Sequence, residues 1–242
     1  MSEIVTSLHG MEEILKDPPD GIELYVSQQQ GRVKRLVELA RAARVAVLEI
    51  TDAEVSKKAG REHRGAVLLL PEGRKLREVI FEEAVAQLTG ETALVVLLDG
   101  VTDPQNYGAI LRSADQFGAD LVVLPARRSA SDTPAVSASS AGAVAWVPHT
   151  VVPNLTRALG VLKDQGFWIY GADSAGTPVH KTNLKGRVAL VLGSEGKGLS
   201  RLVKETCDHV IAIPTRGKLD SLNVSVSAGI LLYEVRRQQE GV

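Results

Sequence analysis

Leu94-Val95-Val96-Leu97-Leu98-Asp99-Gly100-Val101-Thr102-Asp103-Pro104-Gln105-Asn106-Tyr107-Gly108 (residues 94–108) is the stretch that sets the fold class. Five apolar residues in a row, without polar alternation, read as a strand buried on both faces, the habit of parallel strands. A loop of glycine and polar residues follows, then a helical pattern over Asn106–Phe117. Strand, loop and helix together are the unit of a parallel sheet covered by helices. Toward the C-terminus, strands are expected at Leu121–Leu124, near Ala145–Val147, and at Phe167–Gly171, Val188–Leu192 and Val210–Ile213. Helices are expected at Pro134–Gly142 and Asn154–Gln165, from about Leu199, and from Leu222 to about Gln239. The alternation makes this an α/β chain with a mostly parallel sheet.

Toward the N-terminus the units are smaller. Helix Ser7–Leu15, strand Ile22–Val26, helix Gly31–Arg44, strand Val45–Ile50, helix Asp52–Lys58 and strand Ala66–Leu70 form a compact α/β set. Pro71-Glu72-Gly73 is a turn or linker signal, and charged Arg74–Leu88 reads as linker plus a bridging helix. The expected organisation is a small domain over 1–72, a linker with its helix over 73–90, and a larger domain over 91–242.

The 242 residues carry 28 basic and 29 acidic side chains, a net charge of −1, so nucleic acid would have to be bound through a local patch and not through bulk charge. A single cysteine, Cys207, excludes an intrachain disulfide framework and a cysteine-rich zinc site, and reads as a small structural residue. No metal is expected. No apolar run approaches the ~20 residues of a membrane span. Residues 1–20 lack the basic start and apolar middle of a signal peptide, so a reducing cytoplasm is the expected location.

Three loops after strands carry the functional signal: Asp99–Gly108 leading to Arg112, Gly193-Ser194-Glu195-Gly196-Lys197-Gly198, and Pro214–Asn223. Open α/β sheets bind ligands outside the carboxyl ends of their strands, so three such loops suggest one shared site. The glycine loop matches neither the phosphate loop nor the dinucleotide fingerprint; alone, it reads equally as a strand-to-helix turn. Asn106 alone could be a helix cap and Arg112 alone a surface ion-pair partner. Six residues turn a helix through ~600°, so the two do not share a face.

Taken together the loops resemble the three motifs of the SpoU-type (TrmH-like) family of the SPOUT superfamily. The motifs are matched by Asn106-Tyr107-Gly108-Ala109-Ile110-Leu111-Arg112-Ser113-Ala114, by Leu190–Leu199, and by Ile213-Pro214 followed by Ser221-Leu222-Asn223-Val224-Ser225-Val226-Ser227-Ala228-Gly229. Asp99–Asn106 and Arg127-Arg128-Ser129-Ala130 are similar to the branch that methylates a guanosine ribose in large-subunit (23S) ribosomal RNA, and Leu8–Leu15 to that branch's N-terminal RNA-binding domain. The resemblance implies a trefoil-knotted, parallel-sheet catalytic domain and an N-terminal domain like the ribosomal-protein L30e fold. It also implies S-adenosylmethionine as cofactor, held by Gly193, Ile213 and Leu222, and a homodimer with the C-terminal helix in its interface. Ser225, Ser227, Ala228 and Gly229 are small enough for another backbone to approach there, although ordinary intrachain packing explains them equally.

The resemblance assigns Arg112 as the central catalytic residue. Because a guanidinium stays protonated in proteins, the expected role is a bidentate clamp on RNA phosphate that also stabilises developing oxyanion charge, with the proton leaving to phosphate or water. Asn106 and Asn223 suit orientation of ribose or of the arginine. Glu195 would orient Arg112 or an RNA-facing loop, and Ser221 would support loop geometry or touch substrate. For RNA phosphates, Lys57, Lys58, Arg61, His63 and Arg64 form one basic stretch and Arg127-Arg128 a second, each alone no more than a solvated face. Aromatic residues make up 4% of the chain, which favours shape and backbone recognition over extensive stacking. The competing expectations are the same reaction on transfer RNA, a catalytically silent knotted RNA-binding or assembly factor, and a flavodoxin-like nucleotide-binding enzyme, the last disfavoured by the failed phosphate-loop patterns.

Overall fold

The computed structural model describes residues 4–59, 63–70, 79–127, 140, 143–145, 147–219 and 221–241. The chain divides into two compact units. The first holds a four-stranded mixed sheet of β1 (Ile4–Val5), β2 (Glu23–Val26), β3 (Ala46–Glu49) and β4 (Ala66–Leu69), in the order β1-β4-β2-β3. β4 runs antiparallel to β1 and β2, whereas β2 and β3 are parallel. Helices α1 (Leu8–Ile14), α2 (Gly31–Ala42) and α3 (Asp52–Ala59) accompany the sheet. Ser7 starts α1 by accepting the Gly10 N–H at 3.3 Å, the usual work of a serine cap. Val33, Leu36, Val37 and Ala40 give α2 a buried stripe at helical spacing. The two-residue strand β1 is too short to leave a periodicity and was not expected from the sequence.

The second unit holds a six-stranded, all-parallel sheet: β5 (Ala93–Asp99), β6 (Leu121–Pro125), β7 (His149–Val152), β8 (Trp168–Pro178), β9 (Arg187–Gly193) and β10 (His209–Ala212). The order is β10-β8-β9-β5-β6-β7. From β5 the chain builds outward through β6 and β7, then crosses to the other side for β8, β9 and β10. The reversal falls between β5 and β9, whose last residues, Asp99 and Gly193, lie in register. The loops leaving those two strands meet, Asp99 accepting the Ser200 N–H at 2.6 Å, at the carboxyl edge where open α/β sheets place ligands.

The helices of this unit are α4 (Phe81–Gln87), α5 (Pro104–Gln116), α6 (Leu155–Asp164), α7 (Arg201–Thr206) and α8 (Val224–Glu240). Asn154 caps α6 by accepting the Arg157 N–H at 3.0 Å. Alternate residues of the central strands, Val95, Leu97, Ala189 and Val191, join Leu155, Leu159 and Leu162 of α6 in one buried core.

Several expectations are corrected. The strand expected near Ala145–Val147 is a 3-10 turn at Ala143–Ala145, and pairing begins only at His149, because Pro148 has no N–H to give a ladder. The helix expected over Arg74–Leu88 is confined, among the described residues, to Phe81–Gln87. The Pro134–Gly142 helix lies outside the described residues apart from Ser140. The Phe167–Gly171 strand continues to Pro178. Its pairing with β10 jumps from Gly171↔Val210 to Thr177↔Ile211, so the residues between leave the ladder.

Cys207 lies behind the sheet, its thiol donating to the Val203 carbonyl at 3.2 Å. Burial, and then the negative charge of Asp208, push its pKa up to about 11. At pH 8 the thiolate fraction is therefore about a hundredfold below that of a thiol at the unperturbed 9.0. Alkylation of the native chain at pH 8 should be slower than that of the urea-unfolded chain by at least this factor, and equal rates would contradict a buried structural thiol.

Candidate active site

A cavity of about 340 Å³ opens at the carboxyl ends of β8, β9 and β10. Gly193, Glu195, Ile213, Ser221 and Leu222 all line it, so five residues singled out from two loops share one wall system. Its apolar shelf includes Leu192, Ile211 and Leu231. The loop after β9 is closed on itself: the Ser194 N–H donates to the Gly198 carbonyl at 3.1 Å, and the Gly198 N–H returns to the Ser194 carbonyl at 2.9 Å. Gly193 lies directly beneath this turn, where a Cβ would stand 2.3 Å from the Gly198 carbonyl carbon. Asp99 fastens the far end of the loop by accepting the Ser200 N–H at 2.6 Å.

The first motif reaches the site through α5. Asp103 caps this helix by accepting the Gln105 N–H at 3.0 Å, with Pro104 in the first turn. Asn106 is therefore not the cap. It lies one turn in and is buried, which frees its amide for tertiary use. Its Nδ2 donates to Glu195 Oε1 at 3.1 Å. Asn223 Nδ2 donates to Asn106 Oδ1 at 2.9 Å and to the same Glu195 Oε1 at 2.6 Å. One carboxylate oxygen thus holds two amides from elements 117 residues apart, and one of those amides also bonds the other. Such a carboxylate acts purely as an acceptor. The Oδ1 of Asn223 meanwhile accepts the Ser225 N–H at 2.9 Å and the Val226 N–H at 3.3 Å, capping α8.

Asn223→Asp would keep the cap, remove both amide donors and set a second carboxylate against Glu195. Loss of the donors plus like-charge contact should cost about 1–2 kcal/mol at neutral pH, read as a lower urea midpoint. An unchanged midpoint would dissolve the lock as a physical entity.

Arg112 lies on a different face of α5 from Asn106, ~120° around the axis by the ~600° turn. It is exposed and, among the described residues, has no hydrogen bond or ion pair. Among the described residues no hydrogen bond joins Glu195 to it; Glu195 Oε1 accepts from the two asparagines instead. Nor does Arg112 line the cavity. Arg127 is exposed just beyond β6, at the same sheet edge. Arg61 and Arg128 lie outside the described residues. In the first unit Lys57 and Arg64 are exposed, while Lys58 sits 4.1 Å from the centroid of the Tyr25 ring. His63 Nε2 pairs with Ser56 Oγ at 2.7 Å.

The cavity has a wall that was not foreseen from the sequence, formed by Ala172, Asp173 and Ser174 of β8. Lys204, bonded at 2.6 Å, and then the Ala175 N–H hold the Asp173 carboxyl below its usual range. The signal lay in Asp173-Ser174-Ala175-Gly176, a polar stretch after an apolar run, like the other three loops. Among the described residues no group of three or more His, Cys, Asp or Glu side chains could hold a metal ion, and no helix is long and apolar enough to cross a membrane.

The family model of the SpoU rRNA methylases matches residues 93–233. A 23S rRNA (guanosine-2′-O-)-methyltransferase RlmB of Coxiella burnetii is 41% identical over 247 residues, covering 99% of this chain and 98% of the relative. An uncharacterised tRNA/rRNA methyltransferase of Borreliella burgdorferi is also 41% identical, over 218 residues, 87% of this chain and 96% of the relative. The crystal structure of the SpoU methyltransferase AviRb from Streptomyces viridochromogenes, solved with S-adenosylmethionine, superposes with a TM-score of 0.81 over 100% of this chain and 92% of that one, at 23% identity, a likeness of fold.

Proposed function

Because the chain belongs to the SpoU rRNA methylase family, we propose that it transfers a methyl group from S-adenosylmethionine to the ribose 2′-hydroxyl of a guanosine in 23S ribosomal RNA. The observation that carries this reading is the meeting of Asn106, Glu195 and Asn223, one residue from each motif, at a cavity that Glu195 itself lines. The cavity fits the cofactor. Its volume of about 340 Å³ lies in the range of small-ligand pockets, ~300–1,000 Å³. The apolar shelf suits a purine, and the backbone of the loop after β9 offers polar groups without charge. Gly193, Ile213 and Leu222 would hold it, with Asp173 and Ser174 on the opposite strand. Bound there, S-adenosylmethionine supplies an electrophilic methyl on a sulfonium leaving group.

The residues of the chain then have three tasks. Asn106, Glu195 and Asn223 fix the three loops relative to one another, and such alignment can contribute ~7–11 kcal/mol in favourable systems. Arg112, with its guanidinium in solvent and uncommitted among the described residues, clamps an RNA phosphate through two parallel N–H bonds and steadies negative charge growing on the ribose oxygen. The hydroxyl proton passes to phosphate or water. Ser221, exposed at the cavity rim, supports the loop before α8.

The same reading makes residues 1–72 an RNA-binding domain of the L30e-like type, with Lys57, Lys58, Arg61 and Arg64 toward phosphate, 73–90 a linker, and 91–242 a trefoil-knotted methyltransferase domain working in the cytoplasm. On the methyltransferase domain, Arg127 and Arg128 are the phosphate contacts of the same reading. A homodimer through α8 is supported by Val226, Ile230 and Tyr233, which lie 51, 39 and 55% exposed at one helical spacing. Of the small residues, Ala228 is fully buried and Gly229 faces Ser113 of α5, so these two pack within the chain.

The test is transfer of labelled methyl to unmodified 23S rRNA and to unmodified bulk tRNA, with Arg112→Ala as control and the product read for alkali-resistant linkage. Label in 23S rRNA alone is the expected outcome. Label only in tRNA would discard the ribosomal substrate, and cofactor binding without transfer to either would leave a silent RNA-binding factor.

A further inference from the structure

At the opposite end of the same sheet, away from the cavity, β8 begins with Trp168, which is 55% exposed. The ring stacks on His209 of the edge strand β10 at 5.7 Å between centroids and 26° between planes. Tyr170, two residues on and therefore on the same face, stacks on His209 at 5.4 Å and 24°. Its hydroxyl donates to the Asn183 carbonyl at 2.6 Å, which brings the loop between β8 and β9 onto that aromatic face. Asn183 shares a shallow groove with His180, Lys181 and Lys185. These three side chains are exposed, and Lys181 and Lys185 have no ion pair among the described residues. The acidic neighbours are engaged elsewhere: Glu234 by Arg237 and Gln238, and Asp208 by Lys163 and the Ile169 N–H.

A solvated tryptophan stacked on an imidazole, beside uncompensated ammonium groups, is the composition of a single-strand nucleic-acid platform. Bases of any kind stack on the aromatic face while the cations follow the phosphates. We infer that Trp168, His209, Lys181 and Lys185 form a second RNA contact, which grips a single-stranded segment of the substrate remote from the methylated ribose. Trp168 pairs with Val188, and Gly193 lies five residues further along β9. At ~3.3 Å per residue, the platform is therefore ~17 Å from the cavity along the strands. A contact at that distance raises affinity without touching chemistry. The inference rests on RNA being the substrate.

The experiment compares the full chain with Lys181→Ala/Lys185→Ala and with Trp168→Ala, measuring affinity for a 23S rRNA transcript across a salt series alongside methyl transfer. All three side chains are exposed, so the fold should survive. The double variant should bind about tenfold more weakly, and its log–log salt slope should fall by ~1.4, two single-strand phosphate contacts at ~0.7 each. Trp168→Ala should weaken binding at least about fivefold with no change of slope. Turnover at saturating transcript and affinity for S-adenosylmethionine should match the unaltered chain. Wild-type affinity and slope in both variants would overturn the platform while leaving the proposed reaction intact. Normal binding of the transcript with lost methylation of a ribosomal particle would assign the patch to a protein partner and likewise overturn it. Failure of the unaltered chain to bind or methylate RNA would instead overturn the proposed reaction, and the platform with it.

Discussion

Arg112→Ala should lower turnover by about 10²–10³, the scale of removing one group that stabilises developing charge, while leaving S-adenosylmethionine affinity within twofold. The separation follows from where the residue lies. Arg112 does not line the cavity and has no hydrogen bond or ion pair among the described residues. Its loss should therefore alter stability by no more than ~0.5 kcal/mol, as for an uninvolved surface position. A cation kept in solvent on a helix of which a different face carries Asn106 into the site costs the fold nothing and is available to substrate. Arg112→Lys should recover only part of the rate, because an ammonium keeps the charge but cannot form two parallel bonds to one phosphate. Near-full turnover in the lysine variant would remove the bidentate clamp. Near-full turnover in the alanine variant would remove the residue from the chemistry altogether. Single-turnover rates with saturating transcript, set beside calorimetric cofactor binding, distinguish these outcomes.

Gly193→Ala should abolish measurable cofactor binding, a loss of at least about a hundredfold, or ~2.7 kcal/mol. The added carbon would lie 2.3 Å from the Gly198 carbonyl carbon, 2.5 Å from its oxygen and 2.5 Å from the Leu199 nitrogen. All three are backbone atoms of a turn closed by its own pair of hydrogen bonds, so none can swing aside as a side-chain end could. The turn must open, and with it the wall that Glu195, Gly196 and Lys197 give the cavity. Gly196→Ala is the control. Gly196 has φ +80° and nothing within 4 Å of a new Cβ, so alanine there meets conformational strain of ~1 kcal/mol but no collision. Cofactor binding should weaken far less. Equal losses in the two variants, both folded by circular dichroism, would show that general loop flexibility, and not the close approach beneath Gly193, governs the cavity.

The parallel-sheet class was legible because buried strands announce themselves as apolar runs. Leu94–Leu98 and Val188–Leu192 became β5 and β9, each within two residues at either end. The convergence of three loops was legible for a related reason: polar and glycine residues directly after such strands must gather at one sheet edge. The resemblance to a family rested on the same residues, since a motif is a local string. What failed were features carried by few residues or by distant partners. A two-residue strand has no period, and Pro148 decides where pairing begins only once β6 lies beside it. The wall at Ala172–Ser174 exists because β8 leaves and rejoins β10, a matter of registry between strands and not of composition.

The sequence by itself determined the class of fold, the identity of the motif residues and the side of the helix on which Arg112 lies, because each depends on spacing along one chain. Only the tertiary structure decided what those residues touch. Glu195 could have faced Arg112 or an RNA loop, and it is bound instead by Asn106 and Asn223. Asn106 could have capped a helix, but Asp103 does so one turn earlier. Gly229 on α8 could have been a close-approach point for another chain, yet it faces Ser113 of α5. Each of these choices is a competition among partners tens of residues apart. It is settled by which groups the packed sheet brings within about 3 Å of one another, a distance that no local pattern encodes.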